Sequence, residues 1–177
     1  MTYFPSLSSS PMLWTTLLQA LDSPAAGPIW FDGPESIGRR LVLQGFTLTR
    51  TPAMVRQVLW IRRLPVRADE ATARLVRARE CLVTGGRVIV VEPSIATGAH
   101  TGWVGRLGVR LGWYHPPERL SSWFLGAGLT PVVQRWPQGL RAWVVTCAQP
   151  GSPISHIFPS ETLPGQEIHV LRPEGGR

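Results

Sequence analysis

Residues 81–93, CLVTGGRVIVVEP, decide the predicted fold. Gly85 and Gly86 can end a helix, because glycine adopts the left-handed backbone conformation without steric cost. Residues 88–91 (VIVV) form an apolar run without alternation, which is typical of a strand covered on both faces in a parallel sheet. Residues 68–83 before it carry apolar side chains at helical spacing. We therefore predict a helix, a glycine turn and a buried strand in succession.

The same stretch resembles the "rLkPGGrlvvvep" signature of class I S-adenosylmethionine-dependent methyltransferases, with Thr84 where that motif has proline. Residues 116–133 (PPERLSSWFLGAGLTPVV) are similar to the family's "peel..ll..aGF..v" segment, and residues 140–147 (LRAWVVTC) follow as a hairpin partner. The resemblance implies an α/β fold: a Rossmann-like methyltransferase sheet with helices on both faces and an antiparallel C-terminal hairpin.

In that family a strand ending in an acid and a D-x-G-x-G loop bind the cofactor. The best match places Phe31 at the acid and Gly33 at the first glycine, while a shift by one residue matches Asp32 to the acid and Pro34 to the glycine. Neither alignment restores the loop. We therefore treat Gly33 as a vestigial position and predict no cofactor, with S-adenosylmethionine as the alternative.

The second predicted strand, residues 46–50 (FTLTR), lacks the acidic end that the family uses to bind ribose hydroxyls. Only TPAMVRQ separates it from the next strand, residues 58–61, whereas the family fits a helix and a third strand there. The resemblance therefore implies a sheet reduced in strand number and a degenerate, shortened methyltransferase, a pseudoenzyme.

Composition narrows the classes of function. All 18 basic residues are arginine, so lysine nucleophiles are excluded, and the absence of lysine is typical of a GC-rich bacterial genome. Cysteine and histidine spacings match no metal site, and no phosphate-loop or nucleophile motif occurs. The net charge of +7 favours acidic partners, but without a recognition motif we do not expect nucleic acid. Eight tryptophans exceed the needs of the core, so several should be at least partly exposed.

Two acid–base candidates follow the strand in residues 88–91. Glu92 stands at its end and His115 precedes two prolines. Either could act in catalysis, but a strand-end residue and a residue before a helix start explain them equally well. We assign no catalytic and no metal-binding residue.

Arginine, tryptophan and apolar residues gather in three places that we predict to bind a partner: the loop after residues 58–61, a glycine-rich insertion in residues 94–117, and the C-terminal tail, where residues 168–171 could add a strand to a partner's sheet. The predicted partner-binding residues are Arg62, Arg63, Trp103, Arg106, Leu107, Arg110, Leu111, Trp113, Tyr114, Ile168 and Val170.

We predict an N-terminal segment with a short helix in residues 1–26, a methyltransferase-like domain in 27–148 and a Pro/Gly-rich extended tail in 149–177. The expected function is a non-catalytic accessory subunit that docks on a larger protein complex. The complex could be embedded in a membrane, or the chain could bind the surface of an anionic membrane. The expected location is cytoplasmic, with a peripheral position on the cytoplasmic face of the membrane as a variant. The alternative function is an active methyltransferase for a hydrophobic small molecule, using Gly33 and Glu92.

Overall fold

The structure is a computed structural model that describes residues 10–52, 54–94, 107–108, 111, 114–136 and 143–151. The helices are α1 (Pro11–Ala20), α2 (Glu35–Leu43), α3 (Ala68–Glu80) and α4 (Pro117–Gly126), with a 3-10 turn at Pro24–Ala26. The strands are β1 (Ile29–Asp32), β2 (Leu48–Thr49), β3 (Val55–Ile61), β4 (Leu82–Pro93), β5 (Val133–Arg135) and β6 (Trp143–Ala148).

The six strands form one sheet in the order β2-β1-β3-β4-β6-β5. β2, β1, β3 and β4 run parallel, whereas β6 is antiparallel to β4 and β5 is antiparallel to β6. The predicted Rossmann-like sheet with an antiparallel C-terminal hairpin is confirmed. The described residues between β2 and β3 form no helix or strand, so β2 is the edge strand, as the shortened sequence predicted.

Helices cover both faces of the sheet, because side chains alternate along the buried strands. Val88 and Val90 join the core beneath α3 and α4, while Ile89 and Val91 join the core beneath α1 and α2. The apolar run in β4 therefore fills two cores at once. α1 begins as expected, since the Ser10 hydroxyl accepts a hydrogen bond from the Leu13 amide at 3.3 Å.

The two glycines in β4 have a different role from the predicted one. α3 ends at Glu80, and Gly85 and Gly86 lie inside β4, where the pairing moves from Leu82 opposite Val55 to Arg87 opposite Gln57. The extra residues form a bulge. A Cβ on Gly86 would come within 2.8 Å of the Arg56 carbonyl oxygen, so the bulge requires glycine there. The predicted helix-ending turn is wrong because residues 82–83 already belong to the sheet.

Most of the tryptophans in the described residues are buried. Among the six in the described residues, only Trp136 is exposed, at 40%, and Trp30 is half-buried. The other four form part of the two cores: Trp14, Trp60, Trp123 and Trp143. The described residues thus contain two tryptophans that are at least partly exposed and four that are buried. Wide aromatic rings fill the space between a short sheet and few helices.

Candidate functional site

The carboxyl ends of β1, β3 and β4 meet at one edge of the sheet, the position where open α/β sheets bind ligands. Asp32 ends β1, and both of its carboxylate oxygens are ion-paired. Arg63, in the loop after β3, lies 2.8 Å away through Nε, and Arg74 of α3 lies 2.6 Å away. The Arg74 guanidinium also lies 4.6 Å from the ring centre of Trp60. This carboxylate therefore ties a loop and a helix to β1.

Gly33, the predicted vestigial position, makes its close contacts with the protein's own side chains. A Cβ there would lie 3.0 Å from both Ile61 Cβ and Phe31 Cζ. One turn along α2, a Cβ on Gly38 would lie 2.9 Å from Phe31 Cε1. The Phe31 ring thus packs in the space that both glycines leave. Glu35 points along α2 to Arg39 at 2.8 Å, and this hydrogen bond lowers the pKa of Glu35.

At the end of β2 two threonines bond to each other. The Thr49 and Thr51 hydroxyl oxygens are 3.1 Å apart, and the Thr51 amide donates to the Thr49 hydroxyl at 3.3 Å. The family resemblance implies a carboxylate here that accepts hydrogen bonds from ribose. The described residues of this edge therefore do not fit the ribose of S-adenosylmethionine as they stand: Asp32 is ion-paired, and β2 ends without an acid.

Glu92, at the end of β4, is almost completely buried, at 3% exposure. Its Oε1 accepts hydrogen bonds from the backbone amides of Arg63 at 2.8 Å and Leu64 at 2.9 Å. Burial raises the pKa of Glu92 to about 7, and the two amides oppose that rise only in part. The carboxyl group therefore holds the loop after β3 and titrates near neutral pH.

His115 is buried close to the same loop. Its backbone amide donates to the Pro93 carbonyl at 2.9 Å, and its carbonyl accepts from the Ser94 hydroxyl at 2.6 Å. Burial lowers the pKa of His115 to about 4, so the ring is neutral at pH 7. The ring packs edge-on to Trp123, and its buried Nδ1 has no hydrogen-bond partner. Both acid–base candidates thus lie beside the end of β4, with structural contacts of their own.

The predicted partner-binding residues fall into different environments. Arg62 is exposed and has a left-handed φ of 56°, whereas Arg63 is engaged with Asp32. Leu107 and Leu111 are 40% and 49% exposed and lie on one helical turn, while Tyr114 is buried at 7% and faces the core. The rest lie outside the described residues: Trp103, Arg106, Arg110, Trp113, Ile168 and Val170.

Sequence reasoning missed the contacts of Asp32. The available signal was charge: an acid ends β1, and Arg62 and Arg63 follow β3, its neighbour in the sheet. Parallel strands bring those positions to the same edge. Within the described residues, no group of three or more acidic, cysteine or histidine side chains could hold a metal ion. None of the described helices combines the length and the apolar character that crossing a bilayer requires.

No protein-family model matches the sequence, and comparison with characterised protein sequences finds no match. Solved structures do match the fold. Human N-acetylserotonin methyltransferase in complex with SAM matches with a TM-score of 0.60 and 10% identity over 82% of this chain and 55% of that one. The S-adenosylmethionine-dependent methyltransferase SibL, in its apo form, matches with a TM-score of 0.50 and 17% identity over 71% and 42% of the two chains.

LaPhzM matches with a TM-score of 0.53 and 16% identity over 78% of this chain and 46% of its own. The chain thus spans about half the length of these solved proteins. These matches show the fold, which is that of class I S-adenosylmethionine-dependent methyltransferases. The prediction of no cofactor is wrong, because the proteins that share this fold include an S-adenosylmethionine-dependent enzyme and one solved with SAM.

Proposed function

We propose that the protein is an accessory subunit with a methyltransferase fold, which docks on a protein partner and does not itself transfer methyl groups. The observation that carries the proposal is the ion-paired state of Asp32. Its two oxygens are held by Arg63 and Arg74, which close the ligand-binding edge of the sheet with protein contacts. A carboxylate in this state serves the stability of the edge.

Docking also requires a surface that a partner can bind, and the structure offers a candidate beside the edge strand β2. Leu43 is 84% exposed and Val42 is 55% exposed, at the end of α2 beside that strand. Together with Phe31 and Leu48 they line a largely apolar groove of about 520 Å³. Its charged lining residues are Arg50 and the ion pair of Arg39 with Glu35, which leaves an excess of one positive charge. Clustered apolar side chains with an excess positive charge fit a protein segment that carries apolar and acidic residues. A membrane complex or an anionic membrane surface is the corresponding proposal for location.

Docking can be tested with two single substitutions in the full chain. Leu43→Glu places a charge in the groove, whereas Val66→Glu places the same charge at another exposed apolar site, 45% exposed. We expect crosslinking in the native host to give a discrete partner band that Leu43→Glu removes and Val66→Glu retains. Equal crosslinking by both variants, or no discrete band with the wild-type chain, would contradict docking through this groove.

The second candidate is an S-adenosylmethionine-dependent methyltransferase that acts on a hydrophobic small molecule. Two observations favour it: the solved proteins that share the fold include methyltransferases, and burial raises the pKa of Glu92 to about 7, a value suited to a general base. S-adenosylmethionine is then the cofactor. For the Asp32 carboxylate to bind the cofactor, its ion pairs with Arg63 and Arg74 would have to break.

Calorimetry tests this second candidate. If the chain is such an enzyme, S-adenosylmethionine should bind with a Kd of about 1–100 μM, and Asp32→Asn should weaken binding while Glu35→Gln, which changes an exposed carboxylate next to the same loop, leaves it unchanged. If neither substitution changes the Kd, the cofactor binds at a different place. If the heat of titrating S-adenosylmethionine into the protein equals the heat of dilution into buffer, the chain is not such an enzyme.

A further inference from the structure

A partly open pocket lies on the α1 face of the sheet, away from Asp32. Its volume is about 240 Å³. The end of α1, the three strands β4, β5 and β6, and the residues flanking those strands form its walls. It is lined by Gln19, Ala20, Arg87, Pro131, Val133, Arg135, Val145, Cys147, Ala148 and Gln149. Cys147 pairs with Ile89 and Ala148 pairs with Val88, which places the space toward the start of β4.

The pocket has an excess of positive charge. Arg87 pairs with Asp22 at 2.8 Å through NH2, and Arg56 approaches the other oxygen of the same carboxylate at 3.3 Å. Arg135 is exposed and contacts the Gln19 carbonyl at 3.5 Å, the outer limit of a hydrogen bond. Two of these guanidinium groups, those of Arg87 and Arg135, line the pocket, and no carboxylate is among the described residues that line it. An anion that enters meets a favourable potential.

One donor in the wall has no acceptor. Arg87 Nε is buried without a hydrogen-bond partner, although NH1 and NH2 of the same guanidinium are engaged. A buried donor without an acceptor is unfavourable, and the Arg87 side chain, which is 25% exposed, lines the pocket. Burial raises the pKa of the Cys147 thiol.

The remaining wall is mostly apolar, with Gln19 and Gln149 as its polar part, and this composition limits the ligand further. Ala20, Val133 and Val145 contribute aliphatic surface, and Pro131 and Ala148 complete it. At about 30 Å³ for each water molecule, the space corresponds to about eight waters, the size of a ligand with about ten non-hydrogen atoms. We propose that this pocket binds a small organic monocarboxylate with an apolar body, whose carboxylate lies between the guanidinium groups of Arg87 and Arg135. This proposal is independent of the proposed function.

The two cysteines provide the test, because both are free and half-buried and only Cys147 lines the pocket. Iodoacetamide alkylation of the full chain is followed for each cysteine by peptide mass spectrometry. The probe is benzoate at 10 mM, with benzyl alcohol as its uncharged analogue and sodium phosphate as a bare anion, all at equal ionic strength. We expect benzoate to slow the alkylation of Cys147 about tenfold, as for a ligand at ten times its Kd, and to leave Cys81 unchanged.

Two variants separate the carboxylate contact from general effects. Arg135→Gln should reduce the benzoate protection of Cys147 to about twofold or less, whereas Arg39→Gln, an exposed arginine on α2, should retain it. Benzyl alcohol and phosphate should each protect less than twofold in the wild-type chain (about a fifth of the benzoate effect). The proposal would be overturned if benzoate did not protect Cys147, or if it protected Cys81 equally. It would also be overturned if phosphate or benzyl alcohol protected Cys147 as strongly as benzoate, or if Arg135→Gln left the protection unchanged.

Discussion

Two carboxylates hold the same loop after β3 from opposite sides, and they do so by different means. Glu92 is buried and accepts hydrogen bonds from the backbone amides of Arg63 and Leu64. Asp32 is 36% exposed in its side chain and binds guanidinium groups. The buried contact is specific in geometry and sensitive to protonation, whereas the half-exposed one is weakened by solvent and salt. Stability should therefore depend far more on Glu92 than on Asp32.

The largest effect is expected from Glu92→Ala. It leaves the Arg63 and Leu64 amides without their acceptor, and Leu64 is buried. At pH 6 we expect a loss of about 3 kcal/mol in the free energy of unfolding, measured by urea denaturation. Glu92→Gln keeps an oxygen acceptor and should cost about 1 kcal/mol. An alanine variant as stable as the wild-type chain would remove the distinction between the two carboxylates.

A pH series sharpens the same comparison. The pKa of Glu92 rises from 4.5 to about 7 on folding, so its stabilising contribution is complete below pH 4.5 and is lost as the pH rises through 7. His115 has the opposite effect: its pKa falls to about 4, so stability is lost as the pH drops from 6.5 toward 4. The two trends partly cancel in the wild-type chain.

The difference between the wild-type chain and Glu92→Gln isolates the carboxyl group, because His115 is common to both. From pH 5 to pH 8 the glutamine variant should gain about 1–3 kcal/mol in unfolding free energy relative to the wild-type chain. Urea denaturation at four pH values measures it. A constant difference across that range would mean that Glu92 has the same pKa in the folded and unfolded chains.

Asp32→Asn should have the smallest effect. Half-exposed ion pairs contribute about 0.5 kcal/mol each at low salt, and Asp32 makes two, so we expect a loss of about 1 kcal/mol that decreases in 1 M sodium chloride. Glu35→Gln, which removes a fully exposed pair on α2, is the control and should show no measurable change. A salt-independent loss larger than that of Glu92→Ala would reverse the ranking.

Patterns local in sequence predicted much of the fold. The apolar run in residues 88–91 indicated a strand buried on both faces, Ser10 and Pro11 marked the start of α1, and the short connection after residue 50 indicated the absent strand. Each of these depends on neighbouring residues or on chain length. The resemblance supplied the order of the remaining elements.

Contacts between distant residues were not predictable in the same way. Arg74 reaches Asp32 across 42 positions in the sequence, and nothing near either residue specifies that pairing. Gly85 and Gly86 fit a helix end and a strand bulge equally well until the pairing with β3 selects the bulge. The tryptophans and the pocket beside Cys147 likewise depend on how separate elements pack.

The most direct test of the central claim, that the chain does not itself transfer methyl groups, is a transfer assay. The full chain is incubated with methyl-labelled S-adenosylmethionine and a small-molecule extract of its host, and label in the organic phase is counted. We predict the same counts with the chain, with Glu92→Gln and without protein. Counts that depend on the wild-type chain and that Glu92→Gln abolishes would contradict the claim and identify a methyltransferase.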